Sequence, residues 1–167
     1  MPEAQKMQRK YFENYVDASM NGDTASWYRL GKDLEEFNIE LNPDTETGKN
    51  ILGETTFNHN GYEISATAEP FYAREGDVLF EALQHIIDTG AQYEGCATSI
   101  CEVHLWEAGT TSGSYKAYRQ PCFLVPTSYG GDTSGYQIPF TVNYVGEKVA
   151  GTFTPDGQGG GSFEADN

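Results

Sequence analysis

Residues 126–145, P-T-S-Y-G-G-D-T-S-G-Y-Q-I-P-F-T-V-N-Y-V, feed a glycine-dense turn straight into a strand of strict alternation. Ile138, Phe140, Val142 and Tyr144 share one face of that strand, and Gln137, Pro139, Thr141 and Asn143 share the other. This is the period-2 pattern of a half-buried sheet. Pro139 has no N–H for a ladder and belongs on an edge or a bulge, so the strand is expected to leave one rim unpaired within the monomer. A neighbouring subunit can close such a rim.

Composition points the same way. A chain of 167 residues suits one domain with a real core, burying roughly 70% of its unfolded surface. Eleven Tyr, nine Phe, two Trp and 19 Gly, with helix formers gathered in only two short places, predict a mainly β chain with one solid helix. Ten basic residues against 25 acidic ones give a net charge of −15, which argues against a site that grips phosphates. The simplest use of that charge is a solvated acidic surface. The start, M-P-E-A-Q-K-M-Q-R-K, has no apolar leader, and no apolar run approaches 18 residues, so the protein is expected to be made and kept soluble in a cytoplasm. Cys96, Cys101 and Cys122 are odd in number and lack zinc-knuckle spacing, which predicts reduced structural thiols.

Along the chain, residues 1–25 read as an N-terminal arm that orders on a partner, although Tyr11, Phe12, Tyr15 and Val16 offer a short apolar face. From Ser26, Phe37, Ile39 and Leu41 alternate with Glu36, Asn38 and Glu40. Residues 42–54, N-P-D-T-E-T-G-K-N-I-L-G-E, read as a loop too long for a tight hairpin. Asn60-Gly61 reads as a type I′ hairpin turn, after which Tyr62, Ile64, Ala66 and Ala68 face the core and Glu63, Ser65, Thr67 and Glu69 face outward. In E-G-D-V-L-F-E-A-L-Q-H-I-I-D-T-G, residues Leu79, Leu83 and Ile86, flanked by Val78, Ala82 and Ile87, form a helical stripe that ends before Gly90 and packs on the sheet as a lid. S-I-C-E-V-H-L-W-E-A and Y-K-A-Y-R-Q-P-C-F-L-V-P flank a turn and form an antiparallel pair. Residues 156–167 read as a flexible tail.

No catalytic constellation stands out. His59, His85 and His104 lack ligand spacing, and Glu13, Asp17, Glu54 and Glu69 pair no better than chance among 25 acids. Cys101 and His104 are three apart and fall on opposite faces of a strand. The G-G-D-T-S-G turn at 130–135 precedes a strand, carries no P-loop lysine and leaves Asp132 as a lone carboxylate. It reads as a turn that fixes loop shape, and no cofactor or metal is expected.

Taken together, the 42–54 segment, N-H-N-G-Y-E at 58–63, A-R-E-G-D-V-L-F-E-A-L and S-Y-G-G-D-T-S-G-Y-Q-I-P-F-T-V resemble the major tail tube proteins of tailed bacteriophages, especially siphophages of Gram-positive hosts. The resemblance spans about residues 26–155. It implies an antiparallel β-sandwich or split barrel with one flanking α-helix and long loops. It also implies six copies in a ring and rings stacked into a tail tube, the conduit for DNA ejection. Partners then include other copies of the chain, a tape measure protein in the lumen, and tail tip and terminator proteins, with viral DNA passing through without specific binding.

On that resemblance, the 42–54 loop becomes the contact to the next subunit, with Asn42, Pro43, Asp44, Glu46, Lys49 and Asn50 as its candidate residues. Glu63, Ser65, Thr67 and Glu69, or alternatively Glu36, Asn38 and Glu40, become candidates for a lumen wall whose negative charge lets DNA slide. Two rivals remain beside it. One is the inner tube of a contractile tail or a phage-derived bacteriocin. The other is a carbohydrate-binding β-sandwich in which Trp27 and Trp106 stack on sugar rings.

Overall fold

The computed structural model describes residues 4–32, 34 and 36–166. Among these the chain is mainly β with one α-helix, and its antiparallel main sheet curls into a half-barrel, in line with the sequence reading. In chain order the elements are β1 (Phe12–Asp17), β2 (Trp27–Leu30), β3 (Ile39–Glu40), β4 (Pro43–Lys49), β5 (Thr55–Tyr62), β6 (Ser65–Ala68) and α1 (Val78–Thr89). After the helix come β7 (Ala97–Ala108), β8 (Tyr115–Pro126), β9 (Gly130–Asp132), β10 (Gly135–Gln137), β11 (Phe140–Tyr144), β12 (Val149–Pro155) and β13 (Gly161–Ala165). The main sheet runs β2-β1-β7-β8-β11-β6-β3; β12 adds to β8 and β13 to β12, while β4–β5 and β9–β10 are separate ribbons.

β8 divides the sheet. One rim pairs with β7 along its length; the other pairs with β12 from Tyr115 to Arg119 and with β11 from Cys122 to Pro126. At the gap the Val145 N–H donates to the Pro121 carbonyl (2.9 Å) and Gln120 Nε2 donates to the Gly146 carbonyl (3.2 Å). In a strand a residue's N–H and C=O point to the same side. The N–H that Pro121 lacks therefore faces the gap, where no ladder carbonyl depends on it.

Because the sheet forks and curls, both faces of its centre are buried. On one face Val16, Ile100, Leu124, Phe140 and Val142 pack with Phe71 and the α1 residues Leu79 and Leu83. On the other, Tyr15, Cys101, Val103 and Ala117 pack with Trp27 and Phe153. The Tyr15 and Phe153 rings lie 4.2 Å apart, and Trp27 meets Phe153 edge-on at 6.2 Å. The Arg29 N–H donates to the Gly159 carbonyl (2.9 Å), tying the β12–β13 turn to β2 and closing that side. Gly151 is required here, since a Cβ would stand 2.5 Å from the Phe163 ring.

The helix forms where its stripe predicts, with Leu79, Leu83 and Ile86 buried. Gly90 ends it at φ 64, a left-handed cap that glycine adopts without steric cost. Asp77 at its start accepts a hydrogen bond from the Tyr28 hydroxyl (2.7 Å), which fixes the helix to β2.

Several expectations are corrected. Residues 12–17 are no partner-ordered arm; they form β1, an interior strand between β2 and β7. Tyr15 and Val16 point to opposite faces and both are buried, so the polar alternation that marks a one-sided strand is missing. The C-terminal segment is likewise a strand, β13, paired with β12. Its glycines make a turn in which Asp156 Oδ1 accepts from the N–H groups of Gln158 and Gly160 (2.6 and 3.1 Å). The alternation around Pro139 holds, with Ile138, Phe140 and Val142 fully buried, but its strand is not an edge. β11 pairs with β8 on one rim and β6 on the other, because Pro139 lies one residue before the ladder. Asn60-Gly61 lies within β5 and makes no turn, and Leu41 and Tyr62 are exposed where a core position was expected.

Two measurements test this architecture. Phe153→Ala is expected to cost about 3–5 kcal/mol, read as a lowered urea midpoint at unchanged m. Alkali is expected to unfold the protein. Burial pushes the Tyr15 hydroxyl and the Cys122 thiol each up to about 12, and also raises Cys101 and Tyr144. The native state thus holds protons that the unfolded chain gives up from near the ordinary thiol and phenol values of 9.0 and 10.0. Stability from these groups is complete below that range and falls as pH rises through it. Thermal melts at stepped pH should show a midpoint that drops steadily once thiols and phenols ionise in the unfolded chain.

Candidate assembly surface

One element stands apart from the core. In the β4–β5 ribbon, Thr45 pairs with His59 and Lys49 with Thr55, and among the described residues nothing covers either face: every strand residue except Gly61 is exposed. At its turn Asn50 Oδ1 accepts from the N–H groups of Leu52 (2.9 Å) and Glu54 (3.0 Å). That turn projects Ile51, fully exposed, and Leu52, 77% exposed; Phe57 follows at 62%. At the root, Asn42 Nδ2 donates to the Glu63 carbonyl (3.0 Å) and to Ser65 Oγ (3.1 Å), clamping the ribbon to β6.

The stretch 42–54 is therefore not a loop but one strand and the tip of a ribbon whose other strand contains Asn60-Gly61. The sequence hid this because P-D-T-E-T-G-K carries no apolar alternation, β4 being solvated on both sides. Of the six contact candidates, Asn42 and Asn50 hold the ribbon's ends, and Pro43 pairs with Tyr62 beside a bulge in which Asn60 and Gly61 of β5 stand opposite Asp44. Asp44, Glu46 and Lys49 lie exposed along the ribbon. Ile51, Leu52 and Phe57, the exposed apolar residues of the ribbon, are not among these candidates, although an apolar pair inside a polar turn was the available signal.

The two sets of outward polar residues converge in part. β3 pairs with β6, so Glu36, Asn38 and Glu40 share a shallow cleft of about 270 Å³ with Thr67 and Glu69. Glu63 and Ser65 do not line it. Glu63 is exposed at the ribbon root, and Ser65 is spent on Asn42.

Other chemistry-bearing residues are occupied structurally. Asp17 is buried, and its Oδ1 accepts from the Ser19 and Ser26 N–H groups, both at 3.0 Å. Glu13 faces Arg29 at 3.5 Å. His104 lies between Glu102 and Glu107 (3.4 and 3.3 Å) and stacks on Trp106 at 4.5 Å, while Cys101 is buried on the opposite face. Trp27 is a core residue rather than an exposed sugar platform; Trp106 is 44% exposed. In the β9–β10 turn Asp132 Oδ1 accepts from the Ser134 N–H (2.8 Å), which fixes the turn. Among the described residues no group of three or more His, Cys, Asp or Glu is placed to hold a metal ion. No protein-family model matches the chain, and no match to a curated protein is significant.

Proposed function

We propose that this chain is a structural subunit that assembles with copies of itself, a siphophage-type tail tube protein whose stacked hexameric rings conduct DNA. The observation that carries the reading is the bare ribbon. A two-stranded ribbon with neither face packed is marginal in water, and exposed Ile51 and Leu52 at its tip gain their burial only on another molecule. The half-barrel behind it, with both faces of its sheet's centre packed, supplies the base. The family resemblance gives the assembly its form: other copies as main partner, a tape measure protein inside during assembly, tip and terminator proteins at the ends, and a virion tail as location. No catalytic role is assigned. An inner tube of a contractile tail uses the same surfaces, and a sheath gene alongside distinguishes it.

Negative-stain microscopy with light scattering at high concentration tests the assembly. Hollow tubes or hexameric rings are expected from the native chain. The double variant Ile51→Ser, Leu52→Ser should melt as the native chain does, since exposed substitutions shift stability by only about 0.5 kcal/mol, yet remain monomeric. Assembly undiminished by that change overturns the ribbon's role. The acidic face has its own test. Glu63→Lys with Glu69→Lys should leave tubes intact while lowering infectivity of phage carrying them, because cations on a lumen wall hold DNA phosphates. Unchanged DNA delivery removes these residues from the lumen.

A further inference from the structure

Three buried side-chain atoms have no hydrogen-bond partner among the described residues: Asn14 Oδ1, Gln120 Oε1 and Tyr144 OH. Buried polar atoms are nearly always paired, so three such atoms call for an explanation. All three belong to side chains lining two clefts, of about 500 Å³ and about 420 Å³, that share Arg9, Phe12 and Phe37 as a common wall. The clefts adjoin as the two halves of a groove divided at that wall, where Arg9 Nη2 donates to the Phe37 carbonyl (3.0 Å). Leu41 and Ile64 add to its apolar lining. Among the described residues five of the chain's ten cations line it, Arg9, Lys10, Arg29, Lys32 and Lys148, against the carboxylates Glu13, Glu36 and Glu102, with Arg29 paired to Glu13 and Lys148 to Glu102. On a chain with a net charge of −15, an excess of cations among the described lining residues stands against the average.

We infer that this groove receives the β4–β5 ribbon tip of a second copy of the chain, an inference that rests on the self-assembly reading above. The tip matches the groove in both respects. It offers Ile51, Leu52 and Phe57 to the apolar wall, and Asp44, Glu46 and Glu54 outnumber Lys49 among its charges. Its backbone matches as well. Asn50 occupies the N–H groups of Leu52, Gly53 and Glu54, and the Ile51 N–H and the Ile51 and Leu52 carbonyls have no intrachain partner among the described residues. Gln120 Oε1 or Asn14 Oδ1 accepts from the Ile51 N–H, and the Tyr144 hydroxyl donates to the Ile51 or Leu52 carbonyl.

The ribbon cannot fill its own groove. Leu41 and Ile64 flank the ribbon's root, and seven extended residues carry the tip about 23 Å away. Tip and groove are different surfaces of the same chain, so their contact is heterologous and passes from copy to copy, closing a ring or extending a filament.

Disulfide trapping in the full chain tests this, since the native cysteines are all buried. Chains carrying Leu52→Cys are mixed with chains carrying Leu41→Cys, oxidised mildly and mapped by mass spectrometry. The 52–41 link is expected to exceed either homodimer on the order of tenfold, because docking raises the effective thiol concentration. In parallel, Arg9→Glu with Lys148→Glu should weaken assembly, and adding Asp44→Lys with Glu46→Lys should restore it. Native chain that assembles while giving neither the 52–41 link nor charge-swap rescue overturns the groove assignment and leaves the subunit reading standing. Native chain that neither assembles nor cross-links at any concentration overturns both. A different molecule co-purifying in the groove, seen by native mass spectrometry, also overturns the assignment.

Discussion

β8 holds β7 along one rim and divides the other between β12 and β11, and the remaining structure follows from that division. A flat sheet of this length exposes at least one face. With β12 and β13 diverging at Gln120-Pro121, the sheet wraps so that Phe153 lands on Tyr15 and Trp27, while the opposite face keeps α1. One proline makes the split inexpensive, since the N–H it lacks is the one the gap leaves without a ladder partner. The Val145 and Gln120 hydrogen bonds then hold the turn between β11 and β12 across the opening.

The fork has a second consequence, in where rigidity ends. Everything bonded to β8, directly or through β7, β11 and β12, is anchored in a core, and the edges of the main sheet are short: β3 has two residues, β13 has five, and β2 is partly covered by the Gly159 carbonyl. Short, covered edges resist indiscriminate pairing. The ribbon is the exception, long and uncovered, joined to the sheet through the Asn42 clamp at β6. A stiff body with one extended, apolar-tipped element is suited to reaching a neighbour at a defined angle.

Charge is distributed to the same end. The acidic cleft of Glu36, Glu40 and Glu69 and the cation-lined groove with Arg9 at its centre both draw on the 31–40 connection. Glu36 lines both, so a chain that is strongly acidic on average presents unlike surfaces side by side. In a heterologous assembly such unlike surfaces can set register and orientation between copies.

Local sequence determined whatever depends on a single periodicity or a single backbone preference. The stripe Leu79, Leu83 and Ile86 with Gly90 defined the helix, the alternation through Ile138, Phe140 and Val142 defined a buried face, and the turn at Gly109–Ser114 joined β7 to β8. Tertiary structure decided the rest, because the missing signals were differences between two faces or two rims. β1 shows no alternation, since Tyr15 and Val16 are both buried, and β4 shows none, since both its faces are wet. A strand covered on both sides and one covered on neither look equally patternless in sequence. Pro139 and Pro121 illustrate the rims: one residue type marked an edge at neither place, because only the pairing of β8 with β11 and β12 shows where a missing N–H goes unneeded. The groove was illegible for the same reason. Asn14, Gln120 and Tyr144 come from three strands, and only the curl of the sheet sets them around Phe12 and Phe37.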